Sequence, residues 1–413
     1  MNGNDDTRYG PGTRVTLAGR TAEWTGTPGH PGAVVNPPVW RASTHLYPDM
    51  AALRAHPANA DGQFYYGRRG APTQWALAEA LTALEPEAAG TVLYPSGVAA
   101  IAGVMLTVLR PGNVLLMTDN AYEPSRAMGR GLLRDFGVET RWFDPLDPAA
   151  MAAAICPRTR AVLIESPGSL TMDVSDVPQL VKIAREHGLV SVIDNTWASS
   201  LGFAALSQGV DIAVMSLTKH VGGHSDVMMG SASAGASWYR KLRLRAQTMG
   251  TVVSPDDAAL LLRGLRTMDI RLQRTTASAL ALAQWLAARA EVAHVLCPML
   301  PGAPGHDLWA RDFTGGCGLF SFVLKGGSSA ARDALIDALA LFGIGYSWGG
   351  FESLATPVDP APIRSATAWP PAGWDQADRF GIRLAVGLED PADLIADLEQ
   401  ALGVWRNARE TAA

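Results

Sequence analysis

Between residues 75 and 235, short runs of apolar residues alternate with longer segments whose apolar positions recur every three or four residues. The runs predict strands at Val92–Tyr94, Val114–Met117, Glu139–Phe143, Ala161–Glu165, Val190–Asp194 and Ile212–Leu217. The spacing between them predicts helices over Trp75–Leu84, Ala99–Leu109, Ser125–Phe136, Pro148–Ile155 and Val177–His187. Apolar strands separated by helices predict an α/β architecture with a mainly parallel sheet. In such sheets the chemistry gathers beyond the carboxyl ends of the strands.

The flanks read differently. Residues 1 to about 70 have little periodicity and many Gly, Pro and Thr residues, which predicts an extended arm lying on the rest of the protein or on a neighbouring subunit. A long helical stretch, Pro255–Arg289, follows the alternating region. Beyond it Gly318–Leu324, Ala330–Phe342, Gly345–Trp348, Ile382–Val386 and Ala392–Trp405 mix the two periods, as in a smaller α+β domain. The expected division is an arm over 1–70, a large α/β domain over 71–265 and a C-terminal α+β domain over 266–413.

Composition narrows the function. With 413 residues, 48% of them hydrophobic and 18% charged, the chain is globular and long enough for two domains. A net charge of −5 gives no general attraction for nucleic acid or an anionic membrane. Cys156, Cys297 and Cys317 are far apart and form no CxxC pair, which argues against a disulfide framework or a zinc site and fits a reducing cytoplasm. Met1–Asp6 has neither the basic nor the apolar region of a secretory signal, and the apolar stretch Thr91–Leu109 is interrupted by Pro95, Ser96 and Gly97. The 34 basic residues comprise 30 arginines and only four lysines: Lys182, Lys219, Lys241 and Lys325.

One of those four stands in Ser216-Leu217-Thr218-Lys219-His220, directly after an apolar strand. A partly buried lysine between hydroxyls suits covalent capture of an aldehyde cofactor that carries a phosphate, which Ser216 and Thr218 can bind; a surface lysine after a strand is the plain alternative. Asp194 closes another apolar strand, where a carboxylate needs a partner such as a protonated pyridine nitrogen. In Tyr94-Pro95-Ser96-Gly97-Val98, small residues open a helix N-terminus to an anion, and the pattern is neither GxGxxG nor a Walker loop. Tyr122 suits stacking on a planar ring, or filling the core. Tyr66, Arg68 and Arg69 end the arm with donors for phosphate or carboxylate. Arg383, inside an apolar strand, calls for a fixed anion, either a substrate carboxylate or an internal salt bridge.

Taken together, Tyr66-Gly67-Arg68, Ser96-Gly97, Tyr122-Glu123-Pro124, Glu165-Ser166-Pro167, Asp194-Asn195-Thr196, Ser216–Lys219 and Gly381–Leu384 resemble the Cys/Met-metabolism family of pyridoxal 5′-phosphate enzymes, over roughly residues 38 to 403. Asp194–Ala198, Gly223–Asp226 and Tyr346-Ser347-Trp348 resemble the style of its bacterial cystathionine β-lyases; γ-acting relatives typically lack the tryptophan. The resemblance implies the aspartate-aminotransferase-like fold type I and a carbon–sulfur lyase. Its product from cystathionine would be homocysteine, with pyruvate and ammonia.

It further implies that Lys219 holds the cofactor and moves protons, Asp194 meets the ring nitrogen and Tyr122 stacks on the ring. Gly97, Val98, Ser216 and Thr218 would bind the phosphate, with Tyr66 and Arg68 reaching it from the neighbouring subunit of a homotetramer. Arg383, with Tyr346, Ser347 and Trp348, would receive the substrate α-carboxylate, and Arg69 its distal end; no metal is implied. The family pattern has an acidic residue near Ala127 for the distal ammonium, and Arg126-Ala127 offers none, which widens the expected substrates to cystine and other cysteine S-conjugates. A γ-acting enzyme and a non-catalytic regulator of the same fold are the competing readings.

Overall fold

The computed structural model describes residues 9–27, 29, 31–55 and 61–411; the N-terminal reading over Met1–Asp6 lies outside them. The strands, in chain order, are β1 (Gly90–Tyr94), β2 (Val114–Thr118), β3 (Glu139–Phe143), β4 (Thr159–Glu165), β5 (Val190–Asp194), β6 (Ile212–Ser216), β7 (Gly230–Ala234), β8 (Val292–Leu296), β9 (Leu319–Leu324), β10 (Gly343–Ile344), β11 (Leu354–Val358) and β12 (Gly381–Ala385). The chain divides into two compact units, one of residues 1–107 with 211–269, the other of residues 108–210 with 270–413.

In the first unit β7 lies between β1 and β6 and is antiparallel to both, pairing Tyr94 and Ser216 with Gly230. The alternating pattern predicts parallel strands here, and β7 itself, Gly-Ser-Ala-Ser-Ala, is absent from the sequence reading because it holds no branched or aromatic residue. Packing overrides that poor propensity. All five residues are buried, Ser233 shares a 2.8 Å hydrogen bond with Thr91, and a Cβ at Gly230 would come within 2.3 Å of the Ser96 carbonyl oxygen. Helices Pro72–Leu84 and Ala236–Met249 cover β1, and Pro255–Leu265 packs on Pro72–Leu84. Ser254 caps that last helix through the N–H groups of Asp256 and Asp257.

The stretch expected as one long helix is two, Pro255–Leu265 and Met268–Ala287. A close approach accompanies the interruption: a Cβ at Gly264 would lie 2.3 Å from the Val221 carbonyl oxygen and 2.5 Å from that of Gly222. The arm is not wholly irregular either, since Pro11–Leu17, Ala22–Thr25 and Met50–Ala55 are short helices. Arg266 anchors the first of them. Its guanidinium donates to the carbonyl oxygens of Val15 and Ala18, at 2.9 and 2.6 Å, where the helix C-terminus lacks internal donors, and burial lowers its pKa to about 10.

In the second unit β5, β4, β2 and β3 lie side by side, all parallel. Between them run Glu123–Met128, Pro148–Ala154 and Val177–Glu186, the last capped by Asp176. The five residues of β2 are all buried, as a strand covered on both faces requires. A second sheet has the order β10-β11-β12-β9-β8, antiparallel except for β10 with β11. Helices Ser329–Asp337 and Pro391–Thr411 pack together beside it, the former on β11. Gly345–Trp348, expected as regular structure, is a turn region in which Ser347 has φ 98°. Among the described residues no helix is long and apolar enough to cross a membrane.

Candidate active site

In the first unit β6 ends at Ser216 and the chain turns at once through Thr218–Gly222. Lys219 leaves helical geometry there, with φ −81° and ψ −108°, and is half-buried. Thr218 is fixed on both sides of its hydroxyl, which donates to the Met229 carbonyl oxygen at 3.3 Å and accepts the Met229 N–H at 3.1 Å. Beside Ser216 begins the helix Gly97–Val108. A Cβ at Gly97 would stand 2.8 Å from the Cβ of Ser216, so only glycine lets this helix start against the end of β6. Ser96 caps it through the Ala99 N–H at 3.1 Å. Ser96, Gly97, Val98 and Ala99 are all partly open to solvent, which leaves an accessible helix N-terminus.

The arm residues sit elsewhere on this unit. Tyr66 pairs with Thr44 as an isolated bridge and is 44% exposed. Arg68 donates to the Gln247 carbonyl oxygen at 2.7 Å. The Arg69 guanidinium lies 4.0 Å from the Tyr65 ring centre, with one terminal nitrogen buried and unpartnered. Arg68 and Arg69 line a cavity of about 400 Å³ together with Trp75, Glu79, Tyr239 and Arg243.

In the second unit three carboxylates stand at the carboxyl ends of parallel strands, or just past them: Asp119 after β2, Glu165 on β4 and Asp194 on β5. One oxygen of Asp194 accepts the Thr196 N–H at 3.0 Å and the Thr196 hydroxyl. Glu165 pairs in register with Asp194 and is buried. Its Oε2 accepts the Tyr122 N–H at 2.6 Å and its Oε1 the Ser169 hydroxyl. Burial first, and the Asp194 charge second, push its carboxyl up to about 8. Tyr122 precedes the helix Glu123–Met128 and is 42% exposed; burial of its hydroxyl and the nearby Glu165 raise its pKa, against the pull of Arg383.

Arg383, at the centre of β12, donates to the Ser169 carbonyl oxygen at 3.4 Å. Burial lowers its pKa, and Tyr122, Glu165 and Tyr346 oppose that. Tyr122, Asp194 and Arg383 thus share Glu165 as a neighbour, and Tyr346, 94% exposed, lies within the electrostatic reach of Arg383. Ser347 and Trp348 follow it, half-buried, Ser347 in the left-handed region that favours glycine.

Two residues received no role from the sequence. Glu165 carries the same signal that marked Asp194, a carboxylate closing an apolar strand. The other is Asp119, which pairs with Arg126 at 2.8 Å and accepts the N–H groups of Ser365, Ala366 and Thr367 at 2.8 to 3.1 Å. Arg126, 1% exposed, also donates to the Ile363 carbonyl oxygen and the Ser365 hydroxyl. At the position where an acidic contact is missing, the neighbouring charge therefore points into the protein and holds the segment 363–367.

The hydroxyls, helix N-terminus and lysine of the first unit suit a phosphorylated aldehyde, and the fixed carboxylate and partly exposed aromatic ring of the second suit a pyridine ring. The glycine-only contact at Gly97 brings the open helix N-terminus against Ser216, as an anion-binding turn requires. A family model described as Cys/Met metabolism PLP-dependent enzyme matches residues 26–403. The cystathionine beta-lyase MetC of Escherichia coli (strain K12) is 42% identical over 391 residues, 94% of this chain and 96% of that protein. The cystathionine beta-lyase of Salmonella typhimurium is also 42% identical, over the same shares of both chains. Among solved structures, cystathionine gamma synthase from Xanthomonas oryzae pv. oryzae in complex with aminoacrylate and cysteine superposes with a TM-score of 0.85 at 33% identity, covering 97% of this chain and 99% of that one.

Proposed function

Because this chain belongs to the Cys/Met metabolism family of pyridoxal-phosphate-dependent enzymes, we propose that it is a carbon–sulfur β-lyase. It cleaves L-cystathionine, or a related cysteine S-conjugate, to a thiol such as homocysteine, pyruvate and ammonia. The observation that carries this reading is the 42% identity to the Escherichia coli cystathionine beta-lyase across 94% of the chain.

Pyridoxal phosphate supplies, when bound, an electron sink for the charge left at the substrate Cα. The chain supplies the rest. Lys219 holds the cofactor aldehyde, and its freed Nζ takes the Cα proton. The Cβ–S bond then breaks with its electron pair on sulfur, and Lys219 Nζ returns a proton to that thiolate. Water hydrolyses the remaining three-carbon fragment to pyruvate and ammonia. Asp194, steadied by Thr196, would face the ring nitrogen, and Tyr122 would stack against the ring. Gly97, Val98, Ser216 and Thr218 bind the phosphate, and Tyr66 and Arg68 reach it from a neighbouring subunit. Arg383 receives the α-carboxylate beside Tyr346, Ser347 and Trp348, and Arg69 meets the distal end.

Arg126 is turned inward and Ala127 is neutral, so neither selects a distal ammonium, and cystine and S-alkyl cysteines join cystathionine as substrates. The enzyme works in the cytoplasm as a homotetramer, with an arm over 1–70, a cofactor domain over 71–265 and a C-terminal domain over 266–413. The competing reading, a γ-acting enzyme, is favoured by the superposition on a cystathionine gamma synthase. Steady-state assays on cystathionine, cystine, cysteine and S-alkyl cysteines, with the keto acid identified, decide between them. Pyruvate supports the β-lyase, 2-oxobutyrate without pyruvate overturns it, and a Lys219→Ala variant should produce neither.

A further inference from the structure

Glu165 has no role in the reaction as set out above, yet both oxygens of its buried carboxyl group are held by hydrogen bonds. It closes β4 next to Asp194 on β5. The corner that follows is rigid: Gly168 N–H donates to the Asp173 carbonyl oxygen at 3.0 Å, Ser169 N–H to that of Asn120 at 3.3 Å, and a Cβ at Gly168 would strike the Asn120 side chain at 2.4 Å. From this corner two contacts reach outward. One runs from Glu165 Oε2 to the Tyr122 N–H. The other runs from Glu165 Oε1 to the Ser169 hydroxyl, and the carbonyl oxygen of the same serine receives Arg383.

We propose that Glu165 is a positioning residue, whose carboxyl group fixes Tyr122 through its backbone and Arg383 through Ser169, so that the cofactor ring and the α-carboxylate are held at one spacing. The proposal rests on the lyase reading for what Tyr122 and Arg383 meet.

The charged and titratable groups facing Glu165 are Asp194 from β5, Tyr122 from the segment after β2, Arg383 from β12, and Arg364. Burial and Asp194 outweigh the arginines, so Glu165 keeps its proton at neutral pH. Oε2 accepts from the Tyr122 N–H and Oε1 from the Ser169 hydroxyl. An amide keeps the Tyr122 contact on its oxygen and offers an N–H to the Ser169 hydroxyl, which can turn to accept it; an alanine keeps neither.

The test uses the wild-type holoenzyme with Glu165→Gln, Glu165→Ala and Ser169→Ala variants. The readouts are cofactor dissociation constant by tryptophan-fluorescence quenching, the circular-dichroism band of the bound cofactor, and KM and kcat on cystathionine. Glu165→Ala should raise the cofactor dissociation constant and KM about tenfold each and shrink the band. Glu165→Gln should recover most of both losses. Ser169→Ala, which cuts only the link toward Arg383, should raise KM and leave cofactor affinity unchanged; with Glu165→Gln it decides the matter even if Glu165→Ala does not fold. A glutamine variant as impaired as the alanine, an alanine variant with wild-type affinity and band, or a Ser169→Ala variant with wild-type KM would overturn the proposal. Cofactor affinity and the band judge Glu165 whatever the product, whereas the wild-type product alone judges the lyase reading.

Discussion

Three strand-end carboxylates, alike in sequence, do three different things because each meets different neighbours. Asp119 is matched by a buried cation and by backbone donors. Burial would raise its pKa, but the N–H groups of Ala366 and Ser365, with Arg126 and Thr367, hold it below the ordinary carboxylate range. Removing it leaves Arg126 buried without its ion-pair partner, so Asp119→Ala should lower unfolding stability by about 3 kcal/mol or more, read by denaturant titration. Glu165 is shifted the other way. Unfolded it titrates near 4.5, folded near about 8, so its stabilising contribution is whole below the first value, declines between the two and is gone above the second. Expected, therefore, is a melting-temperature difference (Glu165→Gln minus wild type) that grows from about pH 5 to about pH 9; a constant difference would contradict the shift. Lys219, Asp194 and Arg383 stand out in the sequence because a scarce residue type, or a charge in an apolar run, demands explanation. Asp119 and Glu165 were not weighed as sites because their partners, residues 363–367 in one case and Tyr122 in the other, are distant in sequence.

Among the elements, the parallel strands β2, β4 and β5 follow closely from their apolar runs, since strands buried on both faces leave few other readings. What the periodicity misses is decided by close approach. β7 is a strand because small residues fit between β1 and β6, and the expected long helix is two, with Gly264 against the turn that carries Lys219. Ser347 shows the same tension in a turn. Its φ of 98° is strained for any residue but glycine, and strain of this kind costs on the order of 1 kcal/mol. Ser347→Gly should raise the melting temperature while raising KM, whereas Ser347→Ala should raise KM with no gain in stability. Equal melting temperatures for the two variants would remove strain from the account.

For the whole molecule, the open question is where the arm acts. Tyr66 and Arg68 lie on the same unit as Lys219, but within their own chain Tyr66 pairs with Thr44 and Arg68 with Gln247. If they complete a neighbour's site, a Lys219→Ala chain and an Arg68→Ala chain are each defective for a different site. Unfolding and reassembling the two together should restore activity, because a mixed dimer contains one site with both residues intact; random pairing restores about a quarter of all sites. Activity no greater than the sum of the separate variants would place the arm in its own site.

Arg266 gives the beginning of that arm a further meaning. Because one guanidinium closes the end of the helix Pro11–Leu17, those first residues act as a plug over a cation that has few other acceptors. Shortening the protein to Arg20 would expose that cation and unseat the start of the arm whose far end carries Tyr66 and Arg68. Trimming the chain past Pro11 thus reaches the core, where Val15 is buried and Arg266 is held.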